Sequence, residues 1–159
     1  MKRSRELRPL SAEHHQALLV SFQLKKALEG HPEAAGAPRD LPGMISLARR
    51  FTEKVLAAHV IAEEELLGQH LAAADLKRLK SEHAELHRLV AQARRSAPAD
   101  VRAALAAFAD LLERHVRWEE RELVPYAEDH LAGEALALIG GELEKRLVLA
   151  GQGPKGTRR

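Results

Sequence analysis

The chain has 159 residues, enough for one domain with a single buried core, and its 25 Lys and Arg against 23 Asp and Glu leave a net charge of +2 with no basic face for nucleic acid. Three Phe, one Trp and one Tyr give no stacking platform for single strands, and the lack of cysteine excludes disulfides, thiolate metal sites and Cys-based catalysis. The start carries no uninterrupted apolar run of a signal peptide and no stretch reaches the length of a membrane span, so a cytoplasmic protein without membrane contact is expected.

Pro and Gly divide the chain into segments rich in Ala, Leu, Glu and Arg, all strong helix formers, and no segment alternates with a strand's period of two. The class is all-α. Ser11 is the expected N-cap of a first helix reaching about Gly30, and a loop holding Pro32, Gly36 and Pro38 follows. A second helix is expected over roughly 43–67 and a third over 72–95. The fourth starts at Pro98 and runs past Trp118 to a kink or end at Pro125. Gly133 and Gly140-Gly141 bracket a short extra helix near 134–149, so the domain spans 1–150 and a disordered basic tail occupies 151–159. The basic starting residues Lys2, Arg3, Arg5 and Arg8 read as solvated.

Each of the four long segments carries a metal-ligand type on its apolar stripe. On the first, His14 lies in line with Leu10, Ala17, Ser21, Leu24 and Leu28, while His15 sits on a flank and is the fallback. The second line is Leu47, Phe51, Val55, His59, Ala62 or Glu63, and Leu66; the third is Leu76, Leu79, His83, Leu86 and Val90, with His87 beside it. The fourth is Leu105, Phe108, Leu112, His115, Glu119 and Glu122. His59 with Glu63, His83 with His87, and His115 with Glu119 are each four residues apart, one helical turn.

A buried glutamate without a partner is costly, and two on core stripes, each one turn from a histidine, call for a cation. Glu63 and Glu119 are suited to bridge two ions, since a carboxylate can give one oxygen to each. A set of N and O ligands this large favours iron or manganese over structural zinc. A single His-x-x-x-Glu is commonly a solvated pair, but four inward registers that agree outweigh that reading. His31, His70 and His130 fall at loops or helix ends and read as surface residues, and Trp118 and Tyr126 as packing. Glu64, Glu65, Glu120 and Glu122 read as a solvated flank, from which one could still orient a ligating imidazole.

The texts LSAEHHQALL, HVIAEEELL, LKSEHAELHRLV and HVRWEERELVPY, over residues 10 to about 130, resemble the four helical signatures of the hemerythrin-like, HHE cation-binding, domain family. The resemblance implies an up-down-up-down four-helix bundle holding two iron ions with an oxo or hydroxo bridge. It carries ligand roles onto His14, His59, His83, His87 and His115, with Glu63 and Glu119 as bridging carboxylates. The oxygen-carrying hemerythrins have an aspartate one residue beyond the position of Glu119. The shorter spacing looks like the wider bacterial and iron-sensing branch, where the role of His87 is open.

Two function classes follow: a protein that binds or senses oxygen, nitric oxide or iron itself, and a di-iron redox enzyme such as an oxidase or peroxide consumer. Ferritin-like bundles use Glu-x-x-His, which occurs nowhere in this sequence. The histidine-rich set leaves fewer anionic ligands for highly oxidised iron, so binding is favoured over catalysis. A metal-free interaction module is the third reading.

Overall fold

The computed structural model describes residues 4–131 and 133–151, with side chains through residue 147. Among these residues every regular element is helical and no strand occurs. Helix α1 spans Arg8–Leu28. It starts ahead of Ser11 because Pro9 fits a first turn, where its missing N–H has no bond to lose. Ser11 is no cap; its Oγ donates to Glu120 at 2.8 Å.

After a 3-10 turn at Pro32–Ala35, α2 (Leu41–Phe51) begins on a side-chain cap, Asp40 accepting from the Gly43 N–H at 2.7 Å. It runs through a π-helical turn, Thr52–Leu56, into α3 (Ala57–Leu66) as one rod. Helix α4 spans Ala73–Ala93, and α5 spans Pro98–Trp118. A second π-helical turn, Glu119–Leu123, leads into α6 (Val124–His130), so the rod neither ends nor breaks at Pro125. Proline cannot donate to the turn before it and crowds the carbonyl four residues back, and the wider π turn relieves both conflicts. Helix α7 spans Glu134–Gly151. The expected tail beyond Gly151 lies outside the described residues.

Each π turn inserts a residue and shifts the inward line. Leu56 is buried where the stripe predicts Val55, and Leu123 where it predicts Glu122, which is exposed.

α1 and α4 both pack along α5, and two apolar clusters result. One joins Leu24, Phe51, Leu86, Leu105, Phe108 and Leu112; the other joins Leu10, Leu67, Leu79, Trp118, Val124 and Leu143. On α1, α3, α4 and α5 the buried histidines lie between these clusters in sequence, so a polar layer is held between two apolar ones. Across the polar layer's apolar flank, Ser21 Oγ donates to the buried carbonyl of Ala109 at 2.7 Å. No helix among the described residues is long and apolar enough to cross a membrane.

Helix α7 covers the second cluster with Ile139, Leu143 and Leu147, and Arg146 pairs with Glu65 of α3. A Cβ on Gly140 would stand 2.9 Å from the Cα of Glu6, whereas one on Gly141 would meet nothing within 4 Å. Gly140→Ala should therefore destabilise by about 1–3 kcal/mol through overpacking against backbone. Gly141→Ala should stabilise by up to ~1 kcal/mol through helix propensity. Thermal unfolding of the two variants tests the seat of α7, and a similar shift in both would remove this account of it.

Candidate metal centre

His14 of α1, His59 and Glu63 of α3, His83 of α4, His115 of α5 and Glu119 at the start of the second π turn are all at most 5% exposed. His14, His59, Glu63 and Glu119 each offer a ligand atom, all within 4.8 Å of one another, and so do Glu63, His83, His115 and Glu119. Both glutamates belong to both groups. His15, the fallback on α1, is exposed.

The atoms that meet at the middle are orphans. Nε2 of His14, His83 and His115 and both carboxylate oxygens of Glu63 and Glu119 are buried with no hydrogen-bond partner. Some are close, His115 Nε2 lying 2.7 Å from Glu119 Oε1 and His14 Nε2 3.2 Å from Glu119 Oε2, yet they are not aligned as hydrogen bonds. Buried donors and acceptors normally find partners. Orphaned atoms brought this close together suit a shared cation, and imidazole nitrogens with carboxylate oxygens are the donor set of a first-row metal ion. The residues present therefore fit a two-metal centre.

The outer nitrogens are all occupied. Nδ1 of His59 donates to Glu13 at 2.9 Å, that of His83 to Glu64 at 2.8 Å, that of His115 to Glu82 at 2.7 Å and that of His14 to Glu120 at 2.6 Å. Sequence reasoning put Glu64 and Glu120 on a solvated flank from which one could orient a ligating imidazole, and overlooked Glu13 and Glu82. The signal was there: Glu immediately precedes the inward histidine on both α1 and α4, and immediately follows the inward glutamate on both other rods. Arg78 backs this layer, donating to Glu82 at 2.9 Å while its guanidinium lies 4.2 Å from the Trp118 ring.

Without a metal ion the charges settle on protons. Burial alone pushes His14 down, but the close Glu119 carboxylate and the hydrogen bond to Glu120 outweigh it and raise its pKa to about 9. Burial likewise opposes the charge on His83, and Glu119 and Glu63 raise it to about 10. His59 is raised well above the usual imidazole range against burial by Glu13 and Glu63, and His115 is raised by Glu119 and Glu82. Burial and mutual repulsion push Glu63 up, yet His59 and His83 bring it below its ordinary value. Glu119 is held well below that value by His115, His14 and His83 despite its burial.

Of the seven residues nominated by the sequence, six converge and His87 does not. It lies half-buried in a cleft between α2 and α4 with Arg49, Thr52, Val90 and Arg94, because the four-residue step from His83 carries it off the stripe toward α2. His31 and His130 are exposed and His70 half-buried, all outside the cluster, and His130 stacks on Tyr126 with ring centroids 3.9 Å apart.

A small cavity of about 10 Å³ reaches Glu13, His14, His59, His115 and Glu119. Ala17, Phe51, Val55, Leu56, Leu112 and Val116 form its walls. The first π turn supplies two of these walls, Val55 and Leu56.

No curated protein and no solved structure matches the chain significantly. The model of the hemerythrin HHE cation-binding domain matches residues 5–127, over the helices that carry the buried histidines and glutamates, and the chain belongs to that family.

Proposed function

We propose that the protein holds two iron ions and binds or senses a small ligand such as oxygen or nitric oxide, or iron itself, in a cytoplasmic setting. The observation that carries this reading is the pair of four-residue ligand groups sharing both Glu63 and Glu119. His14 and His59 would hold one ion, His83 and His115 the other, and the two carboxylates would bridge them. The short connection between α4 and α5 favours an up-down-up-down order for the four rods.

Four protein donors per ion leave a six-coordinate metal with positions to spare, and the all-N,O set favours iron or manganese over zinc. Bound iron would supply those open positions and reversible electron exchange. The chain's own contribution is to aim the imidazoles, neutralise the metal charge and keep water out. Apolar side chains wall one side of the cavity beside the ionisable cluster, and its space, about that of one water molecule, suits a small ligand. A second reading, a di-iron redox enzyme, draws on the four outer carboxylates, which raise imidazole basicity and so favour the oxidised metal.

Loading the protein with excess ferrous salt under anaerobic conditions, counting the metal and recording visible spectra before and after oxygen tests the proposal. Two irons per chain and new charge-transfer bands are expected; one ion or none would sink it. Steady peroxide or oxygen consumption would favour the enzyme over the binder. His14→Ala should cost one ion and His15→Ala none, since His14 is buried at the cluster and His15 faces solvent. Loss of metal in His15→Ala alone would reverse the register of α1.

A further inference from the structure

We propose that Glu13, Glu64, Glu82 and Glu120 are positioning residues that form a closed ring around the centre, each aiming the metal-facing imidazole of the next helical rod. The inference rests on the two-metal reading and adds residues to it. Glu13 of α1 takes Nδ1 of His59 on α3, Glu64 of α3 takes that of His83 on α4, and Glu82 of α4 takes that of His115 on α5. Glu120, just past α5, returns to His14 on α1 and closes the circuit.

The geometry follows from helix rotation. Residues next to each other in a helix point about 100° apart, so a carboxylate beside an inward residue faces the neighbouring rod rather than the middle of its own site. Each carboxylate can only accept, so each Nδ1 must carry the proton, and a neutral imidazole then has its lone pair on Nε2. Nε2 is the atom that converges on Glu63 and Glu119 in all four cases. The ring therefore selects the one tautomer that can bind metal. Glu13 and Glu82 act within a single metal position, on His59 and His115. Glu64 and Glu120 sit on rods whose own histidines serve the opposite position, so they link the two.

Two of the four are themselves held from outside, Glu120 by Ser11 and Glu82 by Arg78. Glu13 is the most buried, at 8% exposure. A buried carboxylate whose oxygen meets an imidazole at 2.9 Å has the form of an aligning contact, not of a surface charge.

Zinc, which is diamagnetic, gives a readout free of any activity. Wild type, Glu13→Ala, Glu13→Gln and Glu82→Ala are titrated with zinc against a chromophoric chelator, and histidine tautomers are read by nitrogen NMR of the zinc-loaded proteins. Wild type should take two zinc ions with all four Nδ1 atoms protonated. Glu13→Ala should weaken one position about 10–100-fold and spare the other, the usual effect of removing a ligand's outer partner. Glu13→Gln, whose amide oxygen still accepts from Nδ1, should recover most of that loss. Glu82→Ala should weaken the position of His115 instead, and it carries the test if Glu13→Ala fails to fold. Wild-type zinc affinity at both positions in the alanine variants, even with a lowered melting temperature, would overturn the ring. Failure of wild type to take two ions of either zinc or anaerobic ferrous iron would overturn the two-metal reading beneath it, so the failures are separable.

Discussion

Glu119→Gln should leave the protein without either metal ion, whereas His59→Ala should leave it with one. Glu119 belongs to both ligand groups, and its oxygens lie near His14 on one side and His115 on the other. An amide keeps the shape of the side chain but removes the charge that two adjacent cations require. His59 serves a single group, and the other retains His83, His115 and both glutamates. The metal-free variant should also lose roughly 3–5 kcal/mol of stability near neutral pH, because removing one member of a buried ionic cluster leaves its partners uncompensated. Metal content per chain and urea unfolding of the metal-free variant measure the two effects. One ion retained in Glu119→Gln would mean that the positions are independent and the bridge absent.

The metal-free protein should be most stable between about pH 4.5 and 6.5 and should weaken steadily as pH rises through 9 to 10. The sign comes from linkage. A histidine raised from 6.5 to about 9, as His14 is, contributes stability that is complete below 6.5 and lost as pH passes its folded value. His83 acts likewise up to about 10. At about 1.4 kcal/mol per unit, His14 alone accounts for ~3 kcal/mol. Glu63 and Glu119, lowered from 4.5, contribute above 4.5 and lose that contribution as pH falls through their folded values. Bound metal would take the place of the inner imidazole protons of His14 and His83, so this alkaline loss should be absent from the loaded protein. The gap in melting temperature between loaded and metal-free protein should therefore be modest at pH 6 and should widen by pH 9. Loading both positions near neutral pH should release protons, those of His14 and His83 among them, read with an indicator dye. A melting-temperature gap that does not change with pH would show that the metal-free cluster is not balanced by imidazolium.

The six converging residues were legible because each sits on an apolar stripe, and a ligand on a stripe inherits the burial of its neighbours. Glu13 and Glu82 showed only their places beside inward histidines, because burial between rods depends on how the rods are placed, which no single-helix period contains. The same limit explains Val55 and Glu122: a constant 3.6-residue period has no place for a π turn, so the expected lines run true only as far as each insertion. Pro125 was read as a kink or end because proline is unfavourable in a regular α-helix; the helix does not end there, and the irregularity is the π turn just before it. His87 shared the one-turn spacing of true stripe pairs, but Leu86 and Val90 already marked the inward side of α4, and His87 lay off it.

The two glutamates common to both ligand groups come from opposite halves of the chain, Glu63 from the half that carries His14 and His59, Glu119 from the half that carries His83 and His115. Neither half can complete a metal position by itself, and each completes the other's. Two bound ions would thus act as rivets through a seam, set where the halves meet rather than inside either one. Prying the halves apart would have to separate the two apolar clusters they share as well as the ions' ligands, so opening the seam and discharging the metal would be a single event.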